Sequence, residues 1–386
     1  MRTLFRFPNR IPGRSSRTRC TAFGLATALG LAISQLTAFE ISAVLIATGD
    51  GTGNTTAPTA DPGFDNVGII VGLSGVYVGN GWVLTANHVG ENSIQLLGVT
   101  YDPVPGSKVR FQNPDTSLAD LIAFKLLGPD PPLPALSIAS ASPGVNTLVT
   151  VIGRGRNRGT ATTWMGIDGW NWGGSGVTRW GTNKILDINQ LVVINNGPSS
   201  TQSFSIRFDD LNRGQSMGQH EAALAEGDSG GGAFTGSGGS AELVGILFAI
   251  GLFLDQPGQT SLYGNLGYVS DLFAYRTEIL ALIDQPECSD GLDDDGDGLI
   301  DFPDDPGCSD ALDGDERGPD FICDNGLDDD LDGLIDFPAD DGCLSPTDQS
   351  EAPLRVPNSL PGAGLLGLML YSLARRTLRR DSILVD

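Results

Sequence analysis

The sequence has few basic residues between residues 286 and 351, few histidines and few cysteines. Residues 286–351 hold 24 Asp or Glu residues against a single base, Arg317, while the rest of the chain is nearly neutral. Nucleic acid and anionic lipid would be repelled by such a segment, so neither is expected as a partner. Only His88 and His220 could supply an imidazole, and no cysteine lies between residues 67 and 284, so disulfides cannot stabilise that region.

Helical periodicity is scarce as well. Residues 67–284 consist of short apolar runs between Gly, Pro and Asn clusters, which favours an all-β barrel or sandwich over a helical protein. Only Asp271 to Ile283 has apolar residues at intervals of three or four, which predicts one terminal helix. A chain of 386 residues is long enough for a large core plus an appendage, so two folded regions are expected.

The N-terminus has the pattern of an export signal. Six arginines precede an apolar stretch from Thr21 to Ala38, as in the basic and apolar regions of a secretory signal. An N-terminal anchor helix is the alternative. Small residues near Ala38, Ala43 and Ala47 offer several cleavage sites, so residues 1–47 are assigned to the signal region and the mature terminus stays open.

Three segments carry the residue types of nucleophilic catalysis. They are Gly81-Trp-Val-Leu-Thr-Ala-Asn-His88-Val, Asp120-Leu-Ile-Ala-Phe-Lys-Leu and Glu226-Gly-Asp-Ser229-Gly-Gly-Gly-Ala-Phe. A serine hydroxyl is a weak nucleophile at neutral pH, so an imidazole must accept its proton and a carboxylate must orient that imidazole. In motif and chain order the segments resemble the trypsin-like (chymotrypsin-fold) serine proteases.

The resemblance implies a role for each residue. Ser229 would attack the substrate, His88 would act as general base and then acid, and Asp120 would orient His88. The N–H groups of Gly227 and Ser229 would form the oxyanion hole. Ala223, six residues before Ser229, would lie at the base of the specificity pocket; since it is not acidic, an apolar or small side chain is expected at the cleavage position.

The resemblance also implies a fold and an activity. Residues 48–285 would form two six-stranded antiparallel β-barrels with a C-terminal helix and would hydrolyse proteins or peptides through an acyl-enzyme, with no cofactor for catalysis. No Ile-Val-Gly-Gly activation site is present, so pairing of a freed N-terminus with Asp228 is not expected. His220 and Asp115 are the nearest rivals of His88 and Asp120, and neither has the family's surrounding motif.

Two other function classes compete with a protease. A non-catalytic surface adhesin or binding module could keep the same fold, but it would not need His88, Asp120 and Ser229 together. An α/β-type esterase is suggested by Gly227-Asp-Ser229-Gly-Gly231, which satisfies the Gly-x-Ser-x-Gly pattern. That fold, however, alternates strands with helices and places its Asp and His after the Ser.

The acidic region is an internal repeat. The segment that begins at Cys288 recurs at Cys323, which predicts two small units over 288–316 and 323–351. Alternate aspartates on a turning loop could bind Ca²⁺; these candidate ligands are Asp293, Asp295, Asp297, Asp301, Asp328, Asp330, Asp332 and Asp336. Neither loop has the Glu that ends an EF-hand loop, so the loops look more like the Asp-rich calcium repeats of extracellular stalks. A solvated acidic spacer without metal is the alternative.

Four of the five cysteines lie in these repeats and allow three pairings. The pairing of Cys288 with Cys308 and of Cys323 with Cys343 is favoured, because each small repeat then closes on itself.

The C-terminal tail, residues 352–386, has a Pro-containing motif, an apolar run and an arginine cluster. In this order the tail resembles the C-terminal sorting signals of bacterial surface proteins, and a simple membrane anchor is the alternative. The expected location is therefore outside a bacterial cell or on its surface, with membrane attachment through the tail.

Overall fold

In the residues that the computed structural model describes, 44–174, 176–194, 200–211 and 216–353, the short apolar runs form nineteen β-strands. In chain order these are β1 (Leu45–Ile46), β2 (Val67–Ile70), β3 (Leu73–Gly79), β4 (Trp82–Thr85), β5 (Ile94–Leu96), β6 (Val99–Tyr101), β7 (Val109–Gln112), β8 (Leu118–Lys125), β9 (Ser137–Ile138), β10 (Leu148–Gly153), β11 (Arg158–Trp164), β12 (Ile167–Trp172), β13 (Arg179–Val193), β14 (Ser200–Arg207), β15 (Ala222–Ala223), β16 (Gly232–Thr235), β17 (Glu242–Gly251), β18 (Thr260–Leu262) and β19 (Leu266–Ser270).

Helix is as scarce in the structure as in the sequence. Among the described residues one α-helix is present, α1 (Arg276–Ile283), and it follows a short 3₁₀ turn, Leu272–Tyr275. The predicted helix over 271–283 is thus confirmed, although its first turn is 3₁₀. Four further 3₁₀ turns are Gly218–His220, Gly238–Ser240, Glu287–Ser289 and Ile322–Asp324. No helix in the described ranges is long and apolar enough to cross a membrane.

Two seven-stranded sheets make up most of the fold. The first has the order β6-β5-β2-β3-β4-β8-β7 and the second β16-β10-β13-β14-β19-β17-β9, with β16 also paired to β17. Smaller sheets are formed by β11-β12-β18 and by β1-β15. Nearly all pairs are antiparallel, which agrees with the predicted all-β class and disfavours the α/β esterase alternative. Six strands per barrel were predicted; each sheet has seven, and closure into two barrels stays a prediction.

The two sheets share one core. A cluster of buried side chains includes Leu121 from the first sheet, Ile246 from the second and Ile279 from α1. A buried polar link crosses at the same place, where Tyr275 Oη donates to Asn113 Oδ1 at 2.6 Å. Tyr275 Oη also accepts from the backbone N–H of Gln202 on β14 at 2.9 Å, and Asn113 directly follows β7, so this link connects the second sheet to the first.

Residues 44–47 belong to the β domain. Val44, Leu45, Ile46 and Ala47 are all at most 4% exposed, and Leu45 pairs with Ala223. The sequence had assigned these four residues to the signal region, whereas their burial places them in the β domain. The predicted signal up to residue 43 and the tail from residue 354 lie outside the described residues.

The acidic repeats contain no strand among their described residues and are held by disulfides instead. Cys288 is bonded to Cys308, and Cys323 to Cys343, as the sequence predicted. Each repeat also uses a buried glutamate: Glu316 accepts hydrogen bonds from backbone N–H groups of the first repeat, and Glu351 does so in the second. Local cross-links thus replace the hydrophobic core that so small a unit lacks.

Candidate active site

His88 and Asp120 meet because β4 and β8 are antiparallel neighbours, with Thr85 opposite Ile122. His88, just beyond the end of β4, therefore lies beside the start of β8, where Asp120 stands. His88 Nδ1 is 2.6 Å from Asp120 Oδ2, and the backbone N–H of His88 donates to Asp120 Oδ1 at 2.9 Å. Since a carboxylate accepts hydrogen bonds, Nδ1 carries the proton and Nε2 remains the acceptor.

The pair has a buried end and an accessible end. Asp120 is 5% exposed, and its backbone N–H donates to Thr201 Oγ1 on β14 at 2.8 Å, which connects it to the second sheet. The His88 side chain is 42% exposed. The carboxylate is thus shielded from water while the imidazole can reach a substrate.

Ser229 lies on a loop that is attached to both sheets. The backbone N–H of Ser74 on β3 donates to the carbonyl of Ser229 at 3.0 Å, and that of Gly230 donates to the carbonyl of Leu247 on β17 at 2.7 Å. Gly230 has a φ of +85°, and a Cβ there would lie 1.8 Å from the carbonyl oxygen of Ser74. Glycine is therefore required for the loop to approach β3, which is next to β4 and His88.

Ser229 and His88 line the same cleft, which has a volume of about 530 Å³. Among the described residues no hydrogen bond joins their side chains, and such contacts often tighten only when substrate binds. Gly227 also lines the cleft. Within the described part of the chain, the backbone N–H groups of Gly227 and Ser229 donate to no protein acceptor. Two free donors beside a serine are what an oxyanion would need.

The cleft is mainly apolar, but Ala223 does not line it. Ala223 is on β15, packed in a small cluster with Leu45 and Phe208. The next residue, Leu224, lines the cleft. Successive residues of an extended segment point to opposite sides. A sequence-based assignment that is wrong by one position therefore selects a core residue instead of a cleft residue. The other apolar lining residues are Leu73, Ile194, Ala225, Leu247, Phe248, Ala249 and Ile250.

Asp228 is buried next to Ser229. It is 1% exposed and accepts hydrogen bonds from the backbone N–H groups of Val44 at 3.2 Å and Ala225 at 2.9 Å. No Lys or Arg among the described residues forms an ion pair with it, and burial raises the pKa of Asp228 to about 7. The contact with Val44 was not expected from the sequence, because no activation motif marks it.

The two rival residues lie elsewhere. His220 packs against Trp180, with ring centroids 4.5 Å apart, and its Nδ1 is 3.0 Å from Asn54 Nδ2. Asp115 stabilises an exposed turn by accepting from the backbone N–H of Ser117 at 3.0 Å. Neither lines the cleft that holds His88 and Ser229.

Three of the four predicted metal ligands in each acidic loop come together. Carboxylate oxygens within 4.8 Å of one another belong to Asp293, Asp295 and Asp297 in the first loop, and to Asp328, Asp330 and Asp332 in the second. The fourth residues do not join them. Asp301 accepts from the backbone N–H of Gly291 at 3.0 Å, and Asp336 from that of Gly326 at 2.6 Å. Their contacts thus do not support the predicted ligand role.

The structure is similar to several solved protease-fold structures at low identity. The Rv3671c protease of M. tuberculosis in its inactive form is 18% identical with a TM-score of 0.36, covering 59% of this chain and 98% of its own. Its active form is 16% identical with a TM-score of 0.36, covering 62% and 94%. A mutant of human heparin binding protein (CAP37) is 14% identical with a TM-score of 0.40, covering 64% and 98%.

None of the curated proteins compared with the chain matches it. Residues 73–246, which include His88, Asp120 and Ser229, match the family model described as the trypsin-like peptidase domain. This match supports a peptidase, of the serine type, in general terms.

Proposed function

We propose that the protein is an exported serine endopeptidase in which His88, Asp120 and Ser229 form the catalytic triad. The observation that carries the proposal is the cleft that His88 and Ser229 both line. The buried Asp120 accepts a hydrogen bond from Nδ1 of His88, the ring nitrogen opposite Nε2. Ser229 Oγ attacks the scissile carbonyl while His88 Nε2 takes its proton. The resulting oxyanion is stabilised by the free N–H groups of Gly227 and Ser229.

The second half of the reaction uses the same groups. His88 gives its proton to the leaving amine, an acyl-enzyme remains on Ser229, and a water molecule activated by His88 hydrolyses it. The proposal includes export and surface retention, supported by the basic and apolar pattern of residues 1–43 and by the tail. It also includes Ca²⁺ binding by the acidic loops, supported by their clustered carboxylates.

Labelling with a fluorophosphonate probe tests the proposed nucleophile. The purified full chain should be labelled, and Ser229→Ala and His88→Ala variants should each lose the label, because only a base-activated serine reacts quickly. His220→Ala is the matched control and should keep it. A folded wild-type chain that is not labelled in any processed form would instead support the binding-module alternative.

The lining of the cleft predicts the cleavage preference. Leu224, Leu247 and Ile250 offer no carboxylate to an incoming base. Two acids also line the cleft, but Asp228 is buried and Glu226 is paired with Arg156 at 3.1 Å, and a buried cation without a partner is costly. Peptide substrates with Leu or Phe before the scissile bond should therefore have kcat/KM values at least about 10²-fold above those with Arg. A panel of fluorogenic peptides that differ at this position measures the ratio, and a preference for Arg would contradict the assignment.

A further inference from the structure

The first acidic repeat is joined to the β domain by a buried ionic cluster. Lys125, at the end of β8, is 2% exposed. Its Nζ is 2.8 Å from Asp290 Oδ2 and 3.5 Å from Glu287 Oε1, and it also pairs with Asp294. The backbone N–H of Gly128 donates to the carbonyl of Asp294 at 3.0 Å. The strand that begins beside His88 thus ends on the acidic repeat.

This cluster is short of positive charge. One ammonium faces three carboxylates, and a buried carboxylate without compensation is destabilising. Asp294 Oδ1 has no hydrogen-bond partner among the described residues. A further cation near Asp294 would therefore stabilise the junction.

Among the described residues, the ion pairs of Lys125 do not extend to the second repeat. At the positions of Glu287 and Asp290 it has Ile322 and Asn325. The amide of Asn325 donates to Asp329 Oδ2 at 2.8 Å, in the place where Lys125 pairs with Asp294 in the first repeat. The second repeat thus satisfies its own carboxylate.

The first aspartate loop fits a hard divalent cation. Asp297 is 7% exposed and Asp305 1% exposed, and each has one carboxylate oxygen with no hydrogen-bond partner in the described part of the chain. Asp305 lies close enough to Asp295 and Asp297 for their negative charges to interact. Buried carboxylates that lie close to one another need a proton or a cation, and Ca²⁺ prefers such oxygen ligands.

Asp324 of the second repeat adds to this loop. It is 3% exposed, and its side chain contacts that of Asp295. The first loop therefore gathers more buried carboxylates than the second, in which Asp332 is exposed.

We propose that a divalent cation of the Ca²⁺ class is bound by Asp293, Asp295, Asp297 and Asp305. The bound cation fixes the conformation in which the first repeat forms its ion pairs with Lys125, and it thereby stabilises the β domain itself. Asp294 connects the two sites, because it lies between Asp293 and Asp295 in the loop and pairs with Lys125. This inference rests on the proposed calcium binding but not on peptidase activity.

Tryptophan fluorescence separates the β domain from the repeats. All tryptophans, Trp82, Trp164, Trp170, Trp172 and Trp180, lie in the β domain. Thermal unfolding of the full chain, carrying Ser229→Ala to prevent self-cleavage, is followed by this signal with EGTA or with Ca²⁺ alone. At about a hundred times the dissociation constant, Ca²⁺ should raise the Tm of the tryptophan signal by roughly 5–10 °C.

Two matched variants assign the effect to the first loop. Asp297→Asn and Asp332→Asn occupy equivalent positions, and each aspartate accepts from the backbone N–H two residues later. Asp297→Asn should abolish the Tm shift and Asp332→Asn should keep it, while calorimetry shows that each removes one Ca²⁺ binding event. A shift that survives in Asp297→Asn, or is lost equally in both, would overturn the proposal, as would a wild-type chain that binds no Ca²⁺.

Lys125→Met tests the connection to the β domain. Ca²⁺ should still bind to this variant in calorimetry, but the Tm of its tryptophan signal should no longer respond. An unchanged response would show that the cation acts by another route. If this variant fails to fold, the comparison of Asp297→Asn with Asp332→Asn tests the proposal without it, because both of those variants keep Lys125 and its three acidic partners.

Discussion

Replacing Asp120 with asparagine should lower kcat/KM by about 10⁴-fold without unfolding the protein. The backbone N–H of His88 donates to Asp120 Oδ1, so an asparagine must place its oxygen there and turn its NH₂ toward Nδ1. Nδ1 then has to accept a hydrogen bond, and the imidazole proton moves to Nε2. An Nε2 that carries a proton cannot take the one on Ser229.

Steady-state hydrolysis of the preferred peptide measures this loss, and thermal unfolding shows whether the fold is intact. Asp115→Asn is the control, because Asp115 belongs to an exposed turn away from the cleft and should leave kcat/KM unchanged. If Asp120→Asn kept a tenth or more of the wild-type value, Asp120 would not be the group that orients His88.

A mature N-terminus at Val44 should raise activity by about 10²-fold or more over a chain that is one residue longer. Cleavage after Ala47 would remove the buried strand β1, whereas cleavage before Val44 would place an ammonium 3.2 Å from the buried carboxylate of Asp228. That ion pair would fix the loop whose N–H groups, on Gly227 and Ser229, hold the oxyanion.

The same contact predicts how stability depends on pH. In a chain that continues before Val44, the pKa of Asp228 is raised from 3.8 to about 7 by burial. The unfolded chain then binds fewer protons between these values, so the free energy of unfolding falls as pH rises from about 4 to about 7, by about 4 kcal/mol. An ammonium at Val44 favours the charged carboxylate and should remove most of this loss.

Chains that begin at Val44 or at Ala43 can be released from a cleavable fusion and compared in hydrolysis and in urea unfolding at several pH values. Mass spectrometry of the exported protein identifies the natural terminus, expected at Val44. Asp228→Asn should abolish the difference between the two chains in both measurements. Equal activity of the two unsubstituted chains would rule out the ion pair.

The sequence predicted the site better than its surroundings. The segments around His88, Asp120 and Ser229 need particular residue types at neighbouring positions, such as a glycine at position 230 where the loop approaches β3 closely. Such local patterns can be recognised in the sequence. The disulfides were predictable for the same reason, since each closes one repeat.

Features that depend on register or on distant partners were missed. The one-residue difference between Ala223 and Leu224 depends on strand direction, and the burial of β1 depends on its pairing with β15. In the sequence, Lys125 is simply the residue that follows an apolar run. Its contacts with Asp290 and Asp294 form only in the folded chain and were not predicted. Asp305 lies outside the loop pattern and is recognised only by its burial.

The hydrogen bond between Asn325 and Asp329 also limits how the protein can evolve. Duplication of the second repeat would create no carboxylate that needs a lysine from the β domain. Duplication of the first repeat would add three acidic side chains with no second Lys125 to receive them. The acidic array can therefore gain or lose length by copies of the second kind, while the copy next to the β domain is retained as its partner.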